Sequence, residues 1–138
     1  MPLLQRKVSG DGQRHEMPRY ILRKALRAAI GSVKLKYIGG CHCGNIQLTF
    51  ESDLDPRQIK VRSCQCSFCR KHGSRVVSDP NGALTVKIAD EEHLQRYMFA
   101  HHTAEFLICR CCGVYVAAVT IGPDQPRAVA QLNASNQA

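Results

Sequence analysis

Residues 106–119 read FLICRCCGVYVAAV. Two uniformly apolar runs, Phe106-Leu107-Ile108 and Val114 to Val119, flank a cluster of cysteines, Cys109-Arg110-Cys111-Cys112-Gly113. Short apolar runs bounded by turn residues are the mark of buried strands. The cysteines then fall in the loop between them. Working back along the chain, Ile46 to Phe50, Gln58 to Arg62 and Leu84 to Ile88 each alternate apolar and polar residues, the period of a half-buried strand. Turn signals separate the runs: Asp55-Pro56, Asp79-Pro80-Asn81-Gly82 and Gly122-Pro123-Asp124. The sequence therefore predicts a mainly β fold, with small antiparallel sheets and cysteine-bearing loops, over residues 36–138. A chain of 138 residues fits one such domain.

Residues 1–35 have a different texture and form a basic leader. Residues 1–36 hold nine Lys/Arg against two Asp/Glu, whereas the remainder carries a net charge of only +1. Most of the overall charge of +8 thus belongs to the leader, and the cysteine domain is not expected to bind nucleic acid. The basic segment also lacks interleaved aromatics for stacking on single strands. Within it, residues 17–30 predict an amphipathic helix. Leu22, Ala25, Leu26 and Ala29 share one face, Arg19, Arg23 and Arg27 another, and Pro18 and Gly31 suit its two ends. That helix could dock on the domain, form a homodimer, or lie on an acidic surface. A mitochondrial presequence is a further reading, against which Asp11 and Glu16 count. Another is translation that begins at Met17 or later.

No stretch reaches the ~18 apolar residues of a membrane span, and the apolar stretches near the N-terminus are broken by Arg23, Lys24 and Arg27. The expected location is cytoplasmic. In a reducing compartment, clustered cysteines are metal ligands or catalytic groups more often than disulfides.

All eight cysteines lie in three clusters: Cys41-His42-Cys43-Gly44, Cys64-Gln65-Cys66-Ser67-Phe68-Cys69, and Cys109 to Gly113. Such spacings gather sulfurs for zinc, which takes four ligands in a tetrahedron. Counting predicts two ions per chain. Cys41, Cys43, Cys109 and Cys112 make a closed structural set from a C-x-C and a C-x-x-C about 65 residues apart. Cys64, Cys66 and Cys69 make a three-ligand set with a free fourth position, the arrangement of a catalytic zinc. Two alternatives stay open on spacing: Cys111 in place of Cys112, and His72 as a fourth ligand closing the second set. His42 sits between two ligands and can point to solvent. His101 and His102 lack ligand spacing to any cluster.

At these residues the chain resembles the glutathione-dependent formaldehyde-activating enzyme family, whose domain is shared with centromere protein V. The resemblance is carried by Gly39-Gly40-Cys41-His42-Cys43-Gly44, by Cys64-Gln65-Cys66-Ser67-Phe68-Cys69-Arg70-Lys71, and by Phe106 leading into Cys109-x-x-Cys112-Gly113. It spans roughly residues 36–135. It implies small β-sheets held by a structural zinc on Cys41, Cys43, Cys109 and Cys112, and a second, labile zinc on Cys64, Cys66 and Cys69. It implies a carbon–sulfur lyase that joins formaldehyde and glutathione into S-hydroxymethylglutathione, or acts on a related pair. The leader, the extra Cys111 and an end soon after Leu132 depart from the family pattern. The early end is expected to expose a sheet edge or remove part of a binding wall.

Zinc deprotonates a bound thiol outright, so an incoming thiol held at the fourth position would be ready to add to an aldehyde. Arg70, Lys71 and Arg75 follow the middle cluster and could hold the carboxylates of a glutathione-like substrate, remain solvated, or offset the negative zinc–thiolate centre. Two other functions compete. One is a non-catalytic zinc-stabilised module whose basic leader contacts an acidic partner or nucleic acid. The other is a redox or metal sensor that uses the labile site.

Overall fold

The computed structural model describes residues 35–121 and 127–136, together with the backbone of residues 19–23. Among the described residues nine strands form two antiparallel sheets. In the first, β1 (Arg19–Arg23), β5 (Ala83–Ile88), β3 (Ile46–Ser52) and β2 (Leu35–Gly40) lie side by side in that order. In the second the order is β4 (Val76–Val77), β9 (Ala128–Gln131), β8 (Tyr115–Thr120), β7 (Ala104–Cys109) and β6 (Leu94–Tyr97). A single short helix, α1 (Ser67–Lys71), stands among the described residues apart from two 3-10 turns. None of these helices is long and apolar enough to cross a membrane.

The alternation in the sequence explains the first sheet. Ile46, Leu48 and Phe50 of β3 stand opposite Ile88, Val86 and Leu84 of β5, and all six are buried. Cross-strand pairs of this kind are the unit of sheet stability. They share one core with Leu107, Cys109, Val116, Ala117 and Ala130 from the inner face of the second sheet. The outer face of the second sheet is apolar too, which is why β8 reads as an unbroken apolar run. A bulge between Leu107 and Ile108 shifts the register, so Ile108 faces Tyr115 and Leu107 faces Ala117. Bulges re-aim side chains. Here Val116 and Ala117 turn inward, while Tyr115, Ala118 and Thr120 share the outer face with Ala104 and Phe106 of β7.

Two expectations are corrected. The helix expected over 17–30 is replaced, over Arg19–Arg23, by an edge strand that pairs with the whole of β5. The free edge of β5 offers a row of backbone partners, and Tyr20 and Ile21 are good strand formers. The rest of that helix lies outside the described residues, as does the turn at Gly122-Pro123-Asp124. The strand expected over Gln58–Arg62 does not form. That segment runs irregularly across the surface and makes one bridge, Arg62 to Val76. A turn at Asp55, whose carboxylate accepts from the Arg57 N–H at 2.9 Å, directs it away from the first sheet, and Val61 is left exposed.

Candidate metal centres and the adjoining cavity

The first centre is built by two hairpin turns, one from each sheet. Cys41 and Cys43 lie in the turn from β2 to β3, Cys109 ends β7, and Cys112 lies in the turn to β8. The two turns share a construction. The Cys41 N–H donates to the Ile46 carbonyl at 2.8 Å, and the Gly44 N–H to the Cys41 carbonyl at 3.2 Å. Likewise the Cys109 N–H donates to Val114 at 3.0 Å, and the Gly113 N–H to Cys109 at 2.8 Å. A glycine follows the second ligand candidate each time because the turn needs a left-handed residue: φ is 85° at Gly44 and 76° at Gly113.

The four sulfurs of Cys41, Cys43, Cys109 and Cys112 lie within 4.8 Å of one another. Cys41 to Cys43 is 3.7 Å and Cys43 to Cys109 is 3.5 Å. Sulfurs bound at ~2.3 Å around a tetrahedral zinc stand roughly 3.8 Å apart, so this set fits that ion. The electrostatics agree. Burial pushes the Cys109 thiol up to about 12 and also raises Cys41. Cys112 is lowered to about 6: burial opposes this, but the N–H groups of Cys43 and Val114 point at its sulfur and prevail. Four such sulfurs become thiolates together only around a cation.

The second group is Cys64, Cys66 and Cys69, whose sulfurs also lie within 4.8 Å of one another. Cys66 caps α1, and its sulfur accepts the Cys69 N–H at 3.3 Å. Burial works to raise Cys66, but that N–H and the sulfurs of Cys69 and Cys64 bring it below its ordinary value. Burial, and then the hydrogen bond with Cys66, push Cys69 up to about 12. Among the described residues no fourth ligand joins the group. The three sulfurs could hold a zinc with one position open.

That group borders a cavity of about 660 Å³ on the outer face of the second sheet. Cys64 and Cys69 line it, with Val76, Ala104, Phe106, Tyr115, Ala118 and Val129 as apolar walls. Arg62, Ser63, Thr120 and Arg127 complete the lining. The Tyr115 phenol keeps its proton, first through burial and then through the nearby sulfurs of Cys69, Cys64 and Cys66. Phe68, inside the cysteine loop, packs on Phe106 at 4.6 Å and Tyr115 at 5.3 Å between ring centroids. Tyr97 and Phe99 extend this aromatic group to 5.5 and 5.9 Å from Phe68.

The remaining candidates fall elsewhere. Cys111 is exposed and belongs to neither sulfur group. His72 packs on Phe68 with ring centroids 4.4 Å apart and the rings tilted by 38°, and joins neither group. His42, His101 and His102 are exposed. Arg70 and Lys71 are exposed on α1, and Arg75 donates to Asn133 Oδ1 at 3.3 Å; none of the three lines the cavity. The basic residues that do line it, Arg62 and Arg127, carried no signal in the sequence. Arg62 reads as part of a strand, and Arg127 stands about 60 residues from the middle cluster.

Residues 36–135 match the glutathione-dependent formaldehyde-activating enzyme family. The chain belongs to this family. The match covers both sulfur groups and every strand except β1. The fold is also similar to the crystal structure of a Rhodobacter sphaeroides protein solved by structural genomics, with a TM-score of 0.56 at 27% identity. That similarity covers 73% of this chain and 89% of the other. The formaldehyde-activating family name agrees with a pair of cysteine groups fit for zinc, one closed and one open to a cavity.

Proposed function

We propose that this chain is a zinc-dependent carbon–sulfur lyase-type enzyme acting on thiol–aldehyde adducts. Glutathione and formaldehyde giving S-hydroxymethylglutathione, or a related pair, is the reaction. One observation carries the reading: a group of three sulfurs, with no fourth protein partner among the described residues, opens through Cys64 and Cys69 onto a cavity large enough for a small organic substrate. Family membership supports it. In this reading Cys41, Cys43, Cys109 and Cys112 hold a structural ion, and Cys64, Cys66 and Cys69 hold the second.

Zinc at the second group supplies a cation that keeps an incoming thiol in its thiolate form. The chain's own residues do the rest. Cys64, Cys66 and Cys69 fix the place where the sulfur arrives, and Phe106, Tyr115 and Ala118 hold the aldehyde against it in a dry wall. The incoming thiol gives up its proton to water, the sulfur lone pair forms the new S–C bond, the carbonyl π pair moves to oxygen, and that oxygen takes the released proton back through water. Thiol and aldehyde combine with nothing left over.

The test is zinc per chain by elemental analysis, repeated after mild chelation, with adduct formation assayed on both samples. Two ions are expected, one of them lost readily and the activity lost with it. One tightly held ion, or two that resist chelation with no activity in either state, would sink the proposal.

A further inference from the structure

The cavity beside Cys64 and Cys69 has a charge pattern that the thiol–aldehyde chemistry alone does not demand. Among the described residues, those that line it with charge are Arg62 and Arg127, and no Asp or Glu joins them. Among the described residues neither arginine forms an ion pair. Both are held at the backbone. Arg62 exchanges two hydrogen bonds of 2.9 Å with Val76, and its guanidinium donates to Ser78 Oγ at 2.8 Å. The Arg127 N–H donates to Thr120 Oγ1 at 2.7 Å, and its carbonyl accepts from the Thr120 N–H at 2.8 Å. β4 pairs Val76 with Gln131 and Val77 with Ala130. Continuing that register sets Ser78 beside Val129, so the Arg62 guanidinium reaches toward the end of the sheet from which Arg127 starts. The two cations and two of the three cysteines, Cys64 and Cys69, therefore border one cavity, with Val76, Phe106, Tyr115, Ala118 and Val129 as its apolar walls.

We infer that this cavity selects a thiol whose body is apolar or aromatic and whose far end is a carboxylate, with Arg62 and Arg127 as the carboxylate-holding pair. The inference rests on the proposed function for the sulfur end and goes beyond it at the other. Guanidinium groups suit a carboxylate because their fork matches its two oxygens. Apolar walls suit a hydrocarbon body, since a peptide group placed there without partners loses its hydrogen bonds to water and gains none. Glutathione brings peptide groups and an ammonium, and among the described residues the lining offers that ammonium no carboxylate. It should be the weaker ligand.

The test is calorimetric titration of the full-length protein, zinc-loaded and chelated, with three probes: para-ethylbenzoate, para-(mercaptomethyl)benzoate and glutathione. The thiol-free benzoate isolates the arginine end from the sulfur end. We expect it to bind in both metal states, and Arg62→Ala and Arg127→Ala each to weaken it about tenfold. Both side chains are exposed, so these variants should fold; Arg62→Lys and Arg127→Lys should lose less, and Lys71→Ala, outside the cavity, nothing. The mercaptomethyl compound should bind the zinc-loaded protein more tightly than either of the others. No binding of para-ethylbenzoate, binding indifferent to both alanine variants, or glutathione binding as tightly as the aryl thiol would each overturn the inference. A benzoate that binds through both arginines, with no gain from the thiol on the zinc-loaded protein, would leave the carboxylate pocket standing and overturn the proposed function.

Discussion

Cys111 and Cys112 are neighbours with identical chemistry and different surroundings. Cys112 sits with Cys41, Cys43 and Cys109, under the N–H groups of Cys43 and Val114, whereas Cys111 faces solvent. One backbone step in a tight turn swings the side chain from the site to water. Cys112→Ser is therefore expected to lose the tightly held zinc and to lower the melting temperature by roughly 10 °C or more. Cys111→Ser should change neither. Elemental analysis and thermal denaturation of the two variants check this, and equal effects would mean that the ligand assignment within the third cluster is wrong.

Among elements, the turns matter more than the strands for the site. Gly113 has φ of 76°, and nothing lies within 4 Å of the place its Cβ would occupy. Gly113→Ala should thus cost only the left-handed backbone, about 1–2 kcal/mol. Gly39 is the opposite case. It bridges Ser135, and a Cβ there would collide with the Ala134 carbonyl and the Ser135 Cα. Because both obstacles are backbone, Gly39→Ala should destabilise by about 2 kcal/mol or more as the C-terminal segment is pushed off β2. Chemical denaturation midpoints rank the two, and a Gly39→Ala variant more stable than Gly113→Ala would show that this seam yields easily. α1 belongs at this scale as well. Its five residues cannot persist as a free helix; the Phe68 contacts on the second sheet, and the cation when bound, hold it.

For the molecule as a whole, the first sulfur group joins one turn of each sheet, so a cation there ties the two layers at one end. The chain's last described segment ties them elsewhere: Ser135 bridges Gly39, and the Asn136 N–H donates to the Ile38 carbonyl at 2.9 Å. β1 contributes differently. It lies outside the family match yet covers the β5 edge. Removing residues 1–34 would expose that edge, and unpaired edges recruit other chains. The truncated protein is expected to keep both metal sites and to self-associate more than the full chain. Light scattering during size-exclusion chromatography, beside zinc analysis, would show it; a truncated chain that stays as monodisperse as the full one would mean the β5 edge is protected without β1.

Local periodicity and spacing determined a good deal by themselves. The period-2 runs at Ile46–Phe50 and Leu84–Ile88 and the apolar run at 106–108 fall within β3, β5 and β7, and the run at 114–119 coincides with β8 apart from Val114, because a strand buried on one or both faces must show its burial in its side chains. The three cysteine clusters likewise announced two sulfur groups, since ligands close in sequence are nearly forced to be close in space. Other features depended on contacts between distant residues. Arg19–Arg23 carries a helical pattern but pairs as a strand, because the open edge of β5 offers hydrogen bonds that local propensity cannot anticipate. Gln58–Arg62 alternates but finds no neighbour beyond Val76. Arg62 and Arg127 reach one cavity only because β4, β9 and β8 lie side by side and a bulge turns Tyr115 and Ala118 outward. The sequence by itself determined the core strands and the two cysteine groups fit for a metal, both local properties; the tertiary structure alone decided which cations share a pocket with the second sulfur group, because that follows from the order of strands in a sheet.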